Sequence, residues 1–199
     1  MAATRPKTLA ELFAFYYADF KPLYSHLQSL AEPPLEMYFE VNAAFDHLSR
    51  HWYYGQTEEQ AVQAAAAHIK RACFDAFKII VRNTRSHYRE LCGVDTSIID
   101  NGAFDGSMHQ AWHAIRTGAT QAWQSEGDSR DEEQWHVAYD LWQLVYEACI
   151  AFDRAFYLND KVAWARKRGN GRRWRRRVEG FVTGILTGLV VWLPTSLLS

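Results

Sequence analysis

The sequence predicts an all-α protein: a cytoplasmic bundle of about five helices followed by one C-terminal transmembrane helix. Three observations carry this expectation. Apolar residues recur at three- and four-residue spacing over most of residues 1–160. The two-residue alternation of a half-buried strand is nearly absent. Phe181 to Leu198 then gives eighteen residues without a charge. With 48% hydrophobic residues and eight tryptophans, the chain has the apolar material for a core and falls outside the disordered class.

Thr8 and Glu11 make a capping box that opens a first helix. Its apolar row is Leu9, Leu12, Phe13, Tyr16, Phe20, Leu23, Leu27 and Leu30, interrupted by Pro22. Glu32-Pro33-Pro34 ends it and starts a second helix, through Met37, Val41, Phe45, Leu48 and Trp52 to Gly55. Thr57 and Gln60 cap a long third helix. Its inward positions are Val62, Ala66, Ile69, Cys73, Phe77, Ile80, Thr84, Tyr88 and Leu91, and it closes at Gly93. Residues 94–106 are turn-rich and read as a loop. A fourth helix, about 107–125, is built on Met108, Ala111, Trp112, Ile115, Ala119 and Trp123. Ser129 and Glu132 cap a fifth, with the row Trp135, Tyr139, Trp142, Tyr146, Cys149, Phe152 and Phe156. Gly169-Asn170-Gly171 reads as a hinge.

Three segments follow: a cytoplasmic bundle over 1–160, a basic juxtamembrane hinge over 161–179 and a transmembrane helix over 180–199. The net charge of −1 hides an asymmetry: residues 161–199 hold nine basic residues against Glu179 alone, and residues 1–160 are acidic. At 1.5 Å per residue the uncharged stretch is about 27 Å long, enough to cross a bilayer core. The arginines lie only on its N-terminal side, which places the bundle in the cytoplasm and the span in the inner membrane. Trp174 and Trp192 flank the span as interfacial aromatics. Gly180, Gly184 and Gly188 recur every fourth residue, the spacing that lets helix backbones approach in lipid, so a homo-oligomer is expected. Thr183 and Thr187 follow the same period beside them. The N-terminus lacks the apolar stretch of a secretory signal.

In the body, Arg71, Lys78, Arg82, Arg85 and Arg89 project within about 40° of one line on the third helix. A basic stripe on an acidic domain fits the backbone of an oligonucleotide or other nucleotide-type ligand, or a membrane surface; the alternative is a solvated face paired with acidic neighbours on other helices. Arg50-His51-Trp52-Tyr53-Tyr54 offers aromatic faces for base stacking, or core and rim. His109 and His113 stand four apart but no third metal ligand is evident, and no metal or cofactor is expected. Cys73, Cys92 and Cys149 lack metal spacing and read as buried, reduced thiols. No phosphate loop, nucleophile elbow or carboxylate pair points to an enzyme.

Two resemblances bear on function. The layout of helical body, arginine cluster and glycine-spaced span is similar to small membrane effectors of bacterial antiphage defence, among them the membrane subunit of Hailong-type systems. That resemblance implies an oligomeric membrane effector or ion channel governed by an oligonucleotide signal from a nucleotidyltransferase partner. Separately, Arg82-Asn83-Thr84-Arg85-Ser86-His87 resembles the Arg-Asn-x-x-x-His motif of the helical HEPN ribonucleases. It implies metal-independent RNA cleavage with Arg82 and His87 as the catalytic pair, the enzymatic alternative to a non-enzymatic effector.

Overall fold

A computed structural model describes residues 6–30, 35–128 and 132–168. Among them there is no strand. Six α-helices follow in order: α1 (Leu9–Phe15), α2 (Lys21–Ser29), α3 (Leu35–Tyr54), α4 (Glu58–Cys92), α5 (Ala103–Asp128) and α6 (Glu132–Phe152). A further helical stretch, 160–168, is α7. The Pro33-Pro34 break, the Ser129 cap, the glycine hinge at 169–171, the arginine cluster from Arg172 and the span with Gly180, Gly184 and Gly188 lie outside the described residues. No helix among those described is long and apolar enough to cross a membrane.

α4 is the axis of the body. Its 35 residues measure about 52 Å at 1.5 Å per residue. Thr57 starts it, its hydroxyl accepting from the Gln60 N–H at 3.3 Å. Just before it, the chain reverses from α3 through Gly55, whose φ of +69° is a left-handed conformation that suits glycine. Replacing Thr57 with Ala removes an acceptor for one of the helix's orphan amides. It should lower stability by about 1 kcal/mol in urea unfolding of the purified chain.

The inward row of α4 is as the periodicity predicts, from Val62 through Phe77 and Ile80 to Leu91, with Tyr88 the half-buried exception. Ala61, Ala65, Ala72, Phe74 and Ala76 are buried as well, so α4 is covered over a wider arc than one apolar stripe requires. α3 packs along one side of it, while α6 packs against it and carries α5 alongside. At the centre Phe77 stacks on Trp142 with ring centroids 6.2 Å apart, and the rings of Tyr139 and Tyr146 pack against it. Trp135 fills the next layer against Phe15 and Phe74.

The five predicted helices differ from those observed in three places. The first helix divides, because a π turn at Tyr16–Phe20 separates α1 from α2. Pro22 accounts for it: proline has no N–H to give and its ring crowds the carbonyl four residues back, and widening the turn relieves both. The π turn also sets Asp19 to accept from the Tyr139 hydroxyl at 2.9 Å, tying the N-terminal helices to α6.

The second difference is the start of α5, at Ala103 rather than about 107. Asp100, Asn101 and Gly102 all have positive φ, so three residues complete the reversal. Ile99 and Phe104 are buried on either side, and Thr96 is buried with its hydroxyl donating to Asp105. The segment read as loop is therefore a packed corner.

Third, the chain continues beyond residue 160 as α7, which buries Val162 and Ala165. Lys161 Nζ reaches Asp100 at 2.6 Å and Arg166 reaches Glu90 at 3.7 Å. The first residues of the basic segment therefore belong to the body. A second π turn, Asp153–Tyr157, precedes α7.

α5 and α6 pack closely where Gly118 faces Val145: a Cβ added there lies 3.1 Å from Val145 Cγ2. Gly118→Leu should overpack this contact and destabilise the chain by about 1–3 kcal/mol, read as a lower thermal midpoint.

Candidate functional site

A cleft of about 430 Å³ opens between α4 and α5, floored in part by Trp142 of α6. α4 contributes Lys78, Val81, Arg85, Tyr88 and Arg89, and α5 contributes Trp112, Arg116, Ala119, Thr120 and Trp123. The spacings are three, four, three and one on α4 and four, three, one and three on α5, so each set is one face of its helix. Four cations and three exposed or half-buried aromatic rings meet here, and no acidic residue is in the lining.

The two ends differ electrostatically. At one end Lys78 Nζ sits 2.6 Å from Glu126 Oε1 and 3.6 Å from Asp75 Oδ1, and 5.5 Å above the Trp123 ring. Glu126 also accepts from Trp142 Nε1 at 3.1 Å. Burial holds the Asp75 carboxyl above the usual carboxylate range, against the pull of Lys78. This end is an internally satisfied network.

At the other end Arg85, Arg89 and Arg116 are exposed and have no hydrogen-bond or ion-pair partner for their guanidinium groups among the described residues. Tyr88 stacks on Trp112 with centroids 5.0 Å apart at 17°, and its hydroxyl pairs with His109 Nδ1 at 2.8 Å. Burial is the main reason its phenol is held above the ordinary range. Trp123 leaves 62% of its surface in solvent. Three forked donors beside flat aromatic faces can hold several phosphate oxygens and stack a base.

The predicted basic stripe therefore divides. Lys78, Arg85 and Arg89 line the cleft. Arg71 does not: it is bound to Glu40 at 3.1 Å and to His68 Nδ1 at 2.6 Å, an ordinary surface ion pair between α3 and α4. Arg82 is exposed and stands outside the lining. Arg116, Trp112 and Trp123 were not expected in a site. The two tryptophans belong to the row read as inward, and Trp123 is exposed because α6 covers α5 only part of the way round. The available signal was Arg116 lying four residues from Trp112 and seven from Trp123, on the same line.

Arg82 and His87 do not meet within the chain. α4 runs unbroken from Glu58 to Cys92, and five residues apart on a helix turns the side chains about 140° from each other. His87 instead places Nδ1 2.9 Å from Asp153 Oδ1 and stacks on Tyr157 at 3.7 Å. Both partners come from the second π turn, and Tyr157 in turn donates to Glu90 at 3.0 Å.

His109 pairs with Tyr88 and Asp105, His113 is exposed, and no group of three His, Cys, Asp or Glu among the described residues could hold a metal. In the run Arg50 to Tyr54, Arg50 pairs with Asp46 at 2.6 Å and His51 with the Gln56 carbonyl, while Trp52, Tyr53 and Tyr54 are exposed. Cys73 and Cys149 are buried, and burial pushes the Cys149 thiol up to about 12 and that of Cys73 up as well, so neither is a nucleophile. Cys92 differs from expectation: it is the last residue of α4, past the cover of its neighbours, and is exposed.

Fold and cleft together define an all-helical body with a basic, aromatic-lined groove. Comparison with protein-family models, curated proteins and solved structures returned no match.

Proposed function

We propose that this chain is a membrane-anchored, oligomeric effector whose helical body binds a nucleotide-type polyanion in the α4–α5 cleft. The observation that carries the reading is the trio Arg85, Arg89 and Arg116 beside Tyr88, Trp112 and Trp123. Unpaired guanidiniums held close together repel one another, and a ligand with two or more phosphates relieves that repulsion. The rings add a place for a base, which separates nucleotides from inorganic polyanions.

The anchor is the uncharged stretch from Phe181 to Leu198 behind its arginine cluster, with the bundle on the cytoplasmic side of the inner membrane. Copies associate through Gly180, Gly184 and Gly188 and permeabilise or gate the membrane when the body is occupied, as an antiviral response. A partner enzyme that makes the nucleotide signal completes the scheme.

The test has two arms. Fluorescent adenine nucleotides and short oligoadenylates are titrated against the detergent-solubilised chain, with inorganic triphosphate as the comparison. Binding that favours nucleotide over triphosphate supports the cleft, and no binding of either refutes it. Gly184→Leu with Gly188→Leu should abolish growth arrest and ion flux on expression. If that variant stays fully toxic while Arg82→Ala with His87→Ala is inert and RNA cleavage is lost with it, the nuclease reading replaces this one.

A further inference from the structure

Nine of the fourteen large apolar or aromatic residues exposed among the described residues stand between Phe13 and Tyr54. Their arrangement on α3 is regular. Tyr38, Phe45 and Trp52 follow at intervals of seven and fall within about 40° of one line. They are 48%, 64% and 62% exposed. Phe13 and Tyr17 stand beside Phe45 around an apolar groove of about 190 Å³ floored by Leu12, Ala44 and Leu48.

We propose that this face is where a second copy of the chain docks, α3 against α3 in antiparallel orientation, with the two-fold axis at Phe45. The spacing has the symmetry such a contact needs. Tyr38 and Trp52 are equidistant from Phe45, so each faces the other across the axis and Phe45 meets its own copy. A ridge and a groove on one face make it complementary to itself.

The area is adequate. At about 200 Å² per aromatic side chain, the exposed fractions of Phe13, Tyr17, Tyr38, Phe45 and Trp52 offer about 570 Å² per copy. That is the upper end of the apolar patch found on a monomer, and the roughly 1,100 Å² over two copies clears the roughly 1,000 Å² expected of a specific interface.

Charge also fits a second copy. Asn42 and Ser49 occupy the positions between the aromatics, so no charge on this line has to be desolvated. On the rim Asp46 and Arg50 neutralise each other at 2.6 Å, and they do not repel their own images across the axis. A lipid surface would call for a basic rim along the whole face, whereas Arg50 is paired with Asp46 and only Lys21, 4.6 Å over the Tyr17 ring, stands at its edge without an acidic partner among the described residues.

The inference rests on neither the nucleotide reading nor the membrane reading. It is tested on the full chain in detergent, with Phe45 replaced by benzoylphenylalanine and ¹⁵N-labelled and unlabelled chains mixed. Irradiation should join residues 35–54 of a labelled chain to residues 35–54 of an unlabelled one. Adding Tyr38→Asp and Trp52→Asp should cut that yield at least about tenfold, because like charges then oppose across the contact, while circular dichroism stays unchanged. Cross-links only to detergent or lipid, only to residues 180–199, or none at all overturn the proposal, as does a yield indifferent to the aspartates.

Discussion

Arg85→Ala, Arg89→Ala and Arg116→Ala combined should weaken nucleotide binding by about 100- to 1,000-fold. Each guanidinium that meets a phosphate makes charge-assisted hydrogen bonds worth about 1.5–3 kcal/mol, and tenfold in affinity is about 1.4 kcal/mol. Losses on one ligand do not add fully, which sets the range below the simple sum. The salt dependence should flatten in step, since fewer counterions are exchanged. All three residues are exposed, so the melting temperature should hold.

Arg71→Ala is the informative control. Arg71 belongs to the same sequence stripe but is occupied by Glu40, and its removal should leave affinity within about twofold. Titration by fluorescence anisotropy at two salt concentrations separates the cases. If Arg71→Ala weakens binding as much as the triple variant, the ligand follows the stripe rather than the cleft, and the assignment falls.

Phe77→Ala should cost about 3–5 kcal/mol of stability, a large part of the 5–15 kcal/mol that holds a domain together. Phe77 is 1% exposed and is the common neighbour of Trp142, Tyr139 and Tyr146. Those rings belong to α6, which carries α5, so a hole at Phe77 loosens the helix pair that forms one wall of the cleft. Urea unfolding of the purified chain, followed by tryptophan emission, reports it. Tyr53→Ala, at an 82% exposed position, should shift stability by less than about 0.5 kcal/mol. A Phe77→Ala cost below about 1 kcal/mol would mean that this ring is not where the body is held.

Much of the fold was legible in the sequence because its signals are local. The Thr8 and Thr57 caps, the apolar rows of the third and fifth helices, and the Gly55 and Gly93 stops are each fixed within a few residues, and each is found where the pattern puts it, whereas in the first row Phe13 is half exposed and Phe15, outside the row, is buried in its place. The corner at 94–106 was misread because its composition is that of a turn. Only the burial of Ile99 and Phe104, contributed by distant helices, makes it part of the core. The π turn at Tyr16–Phe20 was visible only as a proline that would interrupt a helix.

The basic stripe shows where local reading ends. Periodicity on α4 placed five cations on one face, but it is blind to what stands opposite. Glu40 on α3 takes Arg71, Glu126 on α5 takes Lys78, and α5 brings Arg116 and two tryptophans to Arg85 and Arg89. Likewise the Arg82–His87 pair is close in sequence and divergent in space, because an unbroken helix rotates five residues through about 140°.

By itself, then, the sequence determined that this is a helical protein, where most helices begin and end, and that its charge is divided between an acidic body and a basic, then apolar, C-terminal segment. Helix propensity, caps and amphipathic period act over four to seven residues and need no partner. Tertiary structure alone decided which cations are neutralised and which remain free, which tryptophans are core and which are wall, and that residues 160–168 complete the body. Those depend on which side chains distant segments bring within a few ångströms, and ion pairing and burial are properties of that meeting.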